Sequence, residues 1–412
     1  MNTVTKVSGA VASGDASALT LRSPQSLGFC PQRIEYLLSV LHSEVQRHRL
    51  PGAVAVIARH GRLALLEALG ALDPAAGSPM TREAIFRIYS MTKPVVSVAV
   101  MMLMEQGRLL LADPIAKYLP EYRDQEVGEI VHGTMRPAPV KRAATVQDLL
   151  RHTAGMTYEF MGNGPVQRQY AQARIGSRKR DNTAFSREIA SLPLLLEPGT
   201  AWEYSRATDV LGRLVEVLSG VALGVFLKTR IFDPLGMTDT GFSVPEADHW
   251  RIAQPFSKDP EGAIQMQMID VREQAIMESG GGGLVSTAMD YARFLQFLLN
   301  SGEIDGVRLL SARTVAFMTA DHLGDLPVNP GMSRELLPEG YGFGLGFAVR
   351  KTLGVATTPG SIGSYYWGGM AGTTFFVDPA ENLVAILMLQ APNQREYYRL
   401  LFRNLVYASL LT

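Results

Sequence analysis

The 412 residues are 47% hydrophobic and 19% charged, a composition that buries a sizeable core and is not that of a disordered chain. Lysine plus arginine and aspartate plus glutamate both number 39, and this zero balance argues against nucleic-acid or anionic-membrane partners. A lone cysteine, Cys30, excludes an internal disulfide and a cysteine metal cluster, and no run of about 18 apolar residues suggests a membrane helix.

In chain order, residues 1–29 are small and polar and are expected to form a flexible surface segment. Ser13, Gly14 and Asp15 break any apolar leader core, so a cytoplasmic location is expected. Ile34, Leu37, Leu38, Leu41 and Val45 recur at helical spacing over residues 32–48. Residues 53–58 and 63–69 read as two strands of a hairpin turning at His60-Gly61-Arg62. A short strand over 85–88 leads into a helix over 91–106 that is apolar nearly all round, which predicts a central, buried helix closed by Gly107.

From residue 113 to 256 the pattern is helical and proline- and glycine-rich, with few strand signals. A helix over 288–300, strands over 372–377 and 383–389, and a last helix over 394–410 follow. Strands near both ends of the chain, joined by hairpins, predict an antiparallel sheet flanked by helices in an α/β fold of the α+β type. The expected division is residues 30–112 with 257–412 as a discontinuous sheet domain, and 113–256 as a helical insertion.

Ser90 and Lys93 sit at i and i+3 where a strand gives way to the apolar helix, so their side chains share a face. Lys93 is the only charged residue between Arg87 and Glu105. Burial there would lower its pKa toward that of a general base, and the helix start would favour an oxyanion near the Ser90 N–H. The same pattern also fits an N-cap serine with a lysine that reaches solvent.

Three further segments resemble a known family. Glu197-Pro198-Gly199-Thr200-Ala201-Trp202-Glu203-Tyr204-Ser205-Arg206 is similar to the stretch that brings a tyrosine to the serine in β-lactamase-related hydrolases. Leu149-Leu150-Arg151-His152-Thr153-Ala154-Gly155-Met156 resembles a second signature of those proteins. Trp367-Gly368-Gly369 stands where class C β-lactamases carry Lys-Thr-Gly and where family VIII carboxylesterases carry Trp-Gly-Gly. The chain thus resembles a family VIII carboxylesterase of the β-lactamase and penicillin-binding-protein superfamily, over residues 34–405.

The resemblance implies a β-lactamase/transpeptidase-like fold and no cofactor or metal. It implies Ser90 as nucleophile, Lys93 and Tyr204 as the proton-transfer pair with the formal base left open, and the backbone N–H groups of Ser90 and Met370 as an oxyanion hole at the start of a strand. Trp367, Gly368, Gly369 and Arg206 are then substrate-binding positions, the glycines admitting substrate close to backbone. Arg206 in place of an asparagine and Trp367 in place of a lysine move the expected substrate from a β-lactam to a short-chain neutral ester, a small-molecule partner. The alternatives are an acyltransferase, a β-lactamase or D-amino-acid peptidase, and a non-catalytic descendant.

Tyr158, Phe160, Met161, Phe343, Tyr365 and Tyr366 are candidates for an apolar pocket. His152 is expected to tie a loop rather than act as a base. Residues 280–283 are expected to be a tight backbone passage, and the basic residues of 174–180 a solvated loop. Lys351-Thr352-Leu353-Gly354 is an interrupted Lys-Thr-Gly and is set aside.

Overall fold

The computed structural model describes residues 19–132 and 134–411. Helix α1 (Pro31–Gln46) precedes strands β1 (Gly52–Arg59), β2 (Arg62–Asp73) and β3 (Ser78–Pro79). The other sheet strands are β4 (Tyr341–Phe343), β5 (Ala348–Arg350), β6 (Tyr365–Gly368), β7 (Thr374–Asp378) and β8 (Leu383–Leu389). They form one eight-stranded sheet in the order β4-β5-β6-β7-β8-β1-β2-β3, antiparallel throughout. The N-terminal hairpin meets the C-terminal strands through β1 and β8, with Ala53 opposite Leu389 and Arg59 opposite Leu383. Every residue of β1 and β8 is buried, because helices cover both faces of the sheet centre.

Helix α2 (Thr92–Glu105) is buried at every position from Thr92 to Leu103, as an all-round apolar pattern requires. It packs against α3 (Ala207–Ser219) from the middle of the chain. Helix α4 (Ala288–Leu299) lies against β1, β7 and β8, while α5 (Arg395–Ala408) packs on β8 and on α1.

The structure departs from the expected pattern in three places. Residues 1–18 of the expected surface segment lie outside the described residues, but 19–29 are not loose. Leu19, Leu27 and Phe29 are buried there and Leu21 bridges to Leu63, the apolar side chains deciding over the small polar ones between them. The middle of the chain holds a hairpin, Glu126–Val131 with Thr134–Pro139, whose two prolines and largely exposed faces gave no alternating signal. The strand before the serine shrinks to Phe86–Arg87 and pairs with Val285–Ser286, outside the main sheet. That pairing carries the serine to the junction between sheet and helices.

Candidate active site

Ser90 occupies a single 3-10 turn, Tyr89–Met91, directly ahead of α2. Tyr89 has φ +43°, a left-handed conformation that costs about 1–3 kcal/mol in a bulky residue and persists only when its surroundings impose it. The surroundings do so. Ile88 N–H donates to the Leu284 carbonyl at 3.1 Å, the Tyr291 hydroxyl to the Met91 carbonyl at 2.8 Å, and Ile269 N–H to the Tyr89 hydroxyl at 3.0 Å. Leu284 N–H in turn donates to Thr92 Oγ1 at 3.1 Å, so the turn and the glycine-rich run 280–283 hold each other.

Lys93 is fully buried. Its ammonium donates to the Gly281 carbonyl at 2.7 Å, the Tyr158 hydroxyl at 3.0 Å and Ser90 Oγ at 3.3 Å. Three donors thus meet three oxygens, and the nitrogen also lies 4.5 Å from the centre of the Tyr204 ring. Burial pushes its pKa down, but the Tyr158 and Tyr204 oxygens more than reverse this, and the net direction is upward. The expected lowering is therefore corrected: the sequence shows the apolar helix around Lys93 and not the oxygens that distant segments bring to it. Lys93 is held as a cation.

Tyr204 hydrogen-bonds to Ser90 Oγ at 2.7 Å. It precedes α3, and its neighbour Glu203 anchors it. The buried Glu203 carboxylate accepts from Thr157 Oγ1 at 2.7 Å, Ser333 Oγ at 2.7 Å and Asn329 Nδ2 at 2.8 Å, and Ser333 Oγ also accepts from Tyr204 N–H at 3.2 Å. His152 packs with its ring centre 5.0 Å from that of Tyr204 and shares a 3.1 Å hydrogen bond with Ser205 Oγ. Burial, then the Lys93 charge, pushes its pKa well below the usual imidazole value, so it is neutral and structural.

Among the described residues, neither Ser90 N–H nor Met370 N–H has a hydrogen-bond partner. Met370 sits in the turn between β6 and β7, not at the start of a strand. Gly369 N–H donates across that turn to the Thr373 carbonyl at 2.7 Å, which leaves Met370 N–H free at the cleft. Gly368 and Gly369 line the cleft beside Trp367 and Met370, and each also answers a packing demand. A Cβ on Gly369 would stand 2.5 Å from the Ile88 carbonyl, and one on Gly368 would stand 2.4 Å from Arg399 Nη2.

Ser90, Tyr204, Met370 and Phe160 border two lobes of one cleft. The first, about 630 Å³ including its mouth, adds Tyr89, Tyr158, Arg178 and Gly282. The second, about 530 Å³, adds Met161, Met332, Leu336, Trp367 and Arg399. Among the described residues, no group of three His, Cys, Asp or Glu side chains could hold a metal ion.

A serine whose oxygen is shared between a tyrosine and a buried ammonium, on an antiparallel sheet with a helical middle, has counterparts among known proteins. The family model described as Beta-lactamase matches residues 38–408. The chain belongs to the β-lactamase family. It is 33% identical over 371 residues to the esterase EstB of Burkholderia gladioli, spanning 85% of this chain and 88% of EstB. Protein Rv1367c of Mycobacterium tuberculosis is 35% identical over 351 residues, 83% of this chain and 86% of that one. The solved structure of EstCE1, described as a hydrolase with promiscuous acyltransferase activity, superposes with a TM-score of 0.77 at 28% identity over 93% of this chain and 99% of its own. Within the superfamily the chain is therefore a family VIII esterase, and a serine hydrolase.

In this family VIII chain the cleft accepts some pocket candidates and rejects others. Tyr158, Phe160, Met161 and Trp367 line it. Tyr366, next to Trp367 on β6, points to the opposite face of the sheet and packs with Tyr341. Phe343 is buried behind the site, touching His152, Trp202 and Trp367, and Tyr365 is buried against Phe347. Arg206 borders the first lobe, but its guanidinium is committed to Glu159 at 2.5 Å and Asp209 at 3.5 Å beneath the Tyr158 ring. Lys351 lies away from the cleft and pairs with Asp321 at 3.0 Å.

The sequence missed two contributors. Tyr158 is more than a wall, since its hydroxyl accepts from Lys93, and the glycine-rich run supplies the Gly281 carbonyl. A Cβ on Gly281 would stand 2.8 Å from Asp209 Oδ2, which explains the glycine, and the run of four glycines over 280–283 was the available signal.

Proposed function

We propose that this serine hydrolase cleaves short-chain carboxylic esters through an acyl-enzyme on Ser90, with a neutral, apolar substituent against Trp367. The observation that carries this is the Ser90 oxygen, 2.7 Å from the Tyr204 hydroxyl and 3.3 Å from Lys93, beside two unpartnered backbone N–H groups. Tyr204, beside the Lys93 cation, acts as the base that takes the Ser90 proton as Oγ bonds to the ester carbon. The carbonyl oxygen becomes negative against the N–H groups of Ser90 and Met370, each such donor contributing about 2.7–4 kcal/mol to transition-state stability. The C–O bond to the alcohol then breaks, and the alkoxide takes the proton back from Tyr204. Water repeats the path: Tyr204 removes its proton, the oxygen attacks the acyl carbon, and Ser90 leaves and is reprotonated.

The test is turnover of p-nitrophenyl butyrate by wild type and by Ser90→Ala, with fluorophosphonate labelling read by peptide mass. Activity lost in the variant and an adduct on Ser90 are expected; full activity in Ser90→Ala would reject the proposal. Acyl transfer to an alcohol is the second reading, favoured by the similarity to EstCE1 and by the two open lobes beside Ser90. Product analysis with a competing alcohol separates the two. The peptidase and β-lactamase alternatives lose support from Trp367 and from the committed Arg206.

A further inference from the structure

The basic segment 174–180 was expected to be a solvated loop, and most of it is. Arg174 and Lys179 are exposed, and Arg180 donates to the Ala173 and Arg174 carbonyls. Arg178 differs. It turns into the first lobe of the cleft, beside Tyr89, Ser90 and Gly282, where its Nη2 donates to the Gly282 carbonyl at 3.1 Å.

No carboxylate pairs with Arg178 among the described residues. The acids that face this region are already engaged. Glu159 gives both oxygens to Arg206, and Asp209 accepts from Ser279 Oγ at 2.5 Å and Gly281 N–H at 2.9 Å and pairs with Arg206. Burial lowers the Arg178 pKa from its ordinary value, the direction expected of a cation short of counter-charge. A guanidinium stays charged and carries five N–H donors, so most of its hydrogen-bonding capacity faces the cleft unspent.

We propose that Arg178 determines specificity by pairing with a carboxylate on the ester substituent that fills this lobe, so that the substrate is a half-ester or an otherwise carboxylated ester. The proposal rests on the esterase function above and narrows it, leaving the neutral end of the substrate to the Trp367 lobe. A carboxylate fits better than a phosphate, because one free guanidinium matches one negative charge and Arg206 is already committed to two acids. Planar, bidentate pairing with a carboxylate is the geometry an arginine offers.

The test uses two matched pairs of esters at low salt. One pair is the p-nitrophenyl monoester of glutaric acid and that of glutaramic acid; the other is carboxymethyl butyrate and carbamoylmethyl butyrate. In one of the pairs the carboxylate should raise kcat/KM by roughly tenfold or more, the usual size of a charged hydrogen bond. Arg178→Gln should erase that ratio, Arg178→Lys should keep part of it, and Arg174→Gln, which removes the same charge from the exposed part of the segment, should keep all of it. Fluorophosphonate labelling of Ser90 in each variant checks that the site is assembled. Hydrolysis without a carboxylate advantage in either pair, or an advantage that survives Arg178→Gln, overturns the proposal alone. Failure of the wild type to hydrolyse any of the four esters overturns the esterase function beneath it.

Discussion

Tyr204 Oη lies 2.7 Å from Ser90 Oγ, while Lys93 Nζ lies 3.3 Å from the same oxygen and gives its shortest bond, 2.7 Å, to the Gly281 carbonyl. The tyrosine is thus the group placed to exchange a proton with the serine, and the lysine the group placed to hold charge beside it. Tyr204→Phe keeps the ring packing and removes the oxygen. It should lower kcat about 10²–10⁴-fold, the range for a general acid–base group, with little change in KM. Steady-state kinetics on p-nitrophenyl butyrate measure it, and a change below threefold would assign Tyr204 to the wall of the cleft.

Tyr158→Phe deprives a buried ammonium of one of its three acceptors. An unsatisfied buried donor costs about 1–3 kcal/mol, so the melting temperature should fall by several degrees. The Lys93 cation should also be less well fixed, lowering kcat by about tenfold. Calorimetry and kinetics on the same preparation check both effects; a variant unchanged in both would show that water replaces the hydroxyl.

Gly369→Ala places a methyl 2.3 Å from Thr373 Oγ1 and 2.5 Å from the Ile88 carbonyl. Backbone must then move, either at the Met370 turn or in the segment that carries Ser90. The expected result is a loss of kcat of about 10²-fold or more, the effect of losing one oxyanion donor. Gly61→Ala is the contrast. Nothing stands within 4 Å of its Cβ, but φ is +73°, so it should cost about 1 kcal/mol of stability and no activity.

Asp148 holds the loop that carries His152. Burial raises its pKa, but bonds from Arg142, Thr145 and Thr153 outweigh this and hold it at about 2. A carboxyl depressed in the folded state stabilises it above the unfolded value near 3.9, and the contribution is lost as pH falls toward 2. The size is about 2 kcal/mol. Urea unfolding should therefore show Asp148→Asn clearly less stable than wild type at pH 6, with the gap narrowing between pH 4 and pH 2. A gap independent of pH would assign the effect to lost hydrogen bonds alone.

Much of the frame was legible because it is written in local periodicity. The helix over 92–105, the hairpin at Gly61 and strand β8 declare themselves through apolar spacing and turn residues. The hairpin over 126–139 did not, since little of it is buried and prolines interrupt it. Tyr366 and Trp367 were read alike from composition, yet on a strand adjacent side chains face opposite ways, and only Trp367 reaches the cleft.

By itself the sequence placed Ser90 and Lys93 three residues apart where a buried apolar helix begins, a spacing that lets the two side chains meet. It also determined the antiparallel sheet, through hairpin-linked strands at both ends of the chain. Only the tertiary structure decided what surrounds that pair. Tyr158, Tyr204 and Gly281 lie 65, 114 and 188 residues from their partners in the site. They turn a lysine expected to lose its proton into one that keeps it. Charge and hydrogen bonding act through space, so the protonation of Lys93 and the Arg178 fork left without a carboxylate follow from neighbours that no local pattern records.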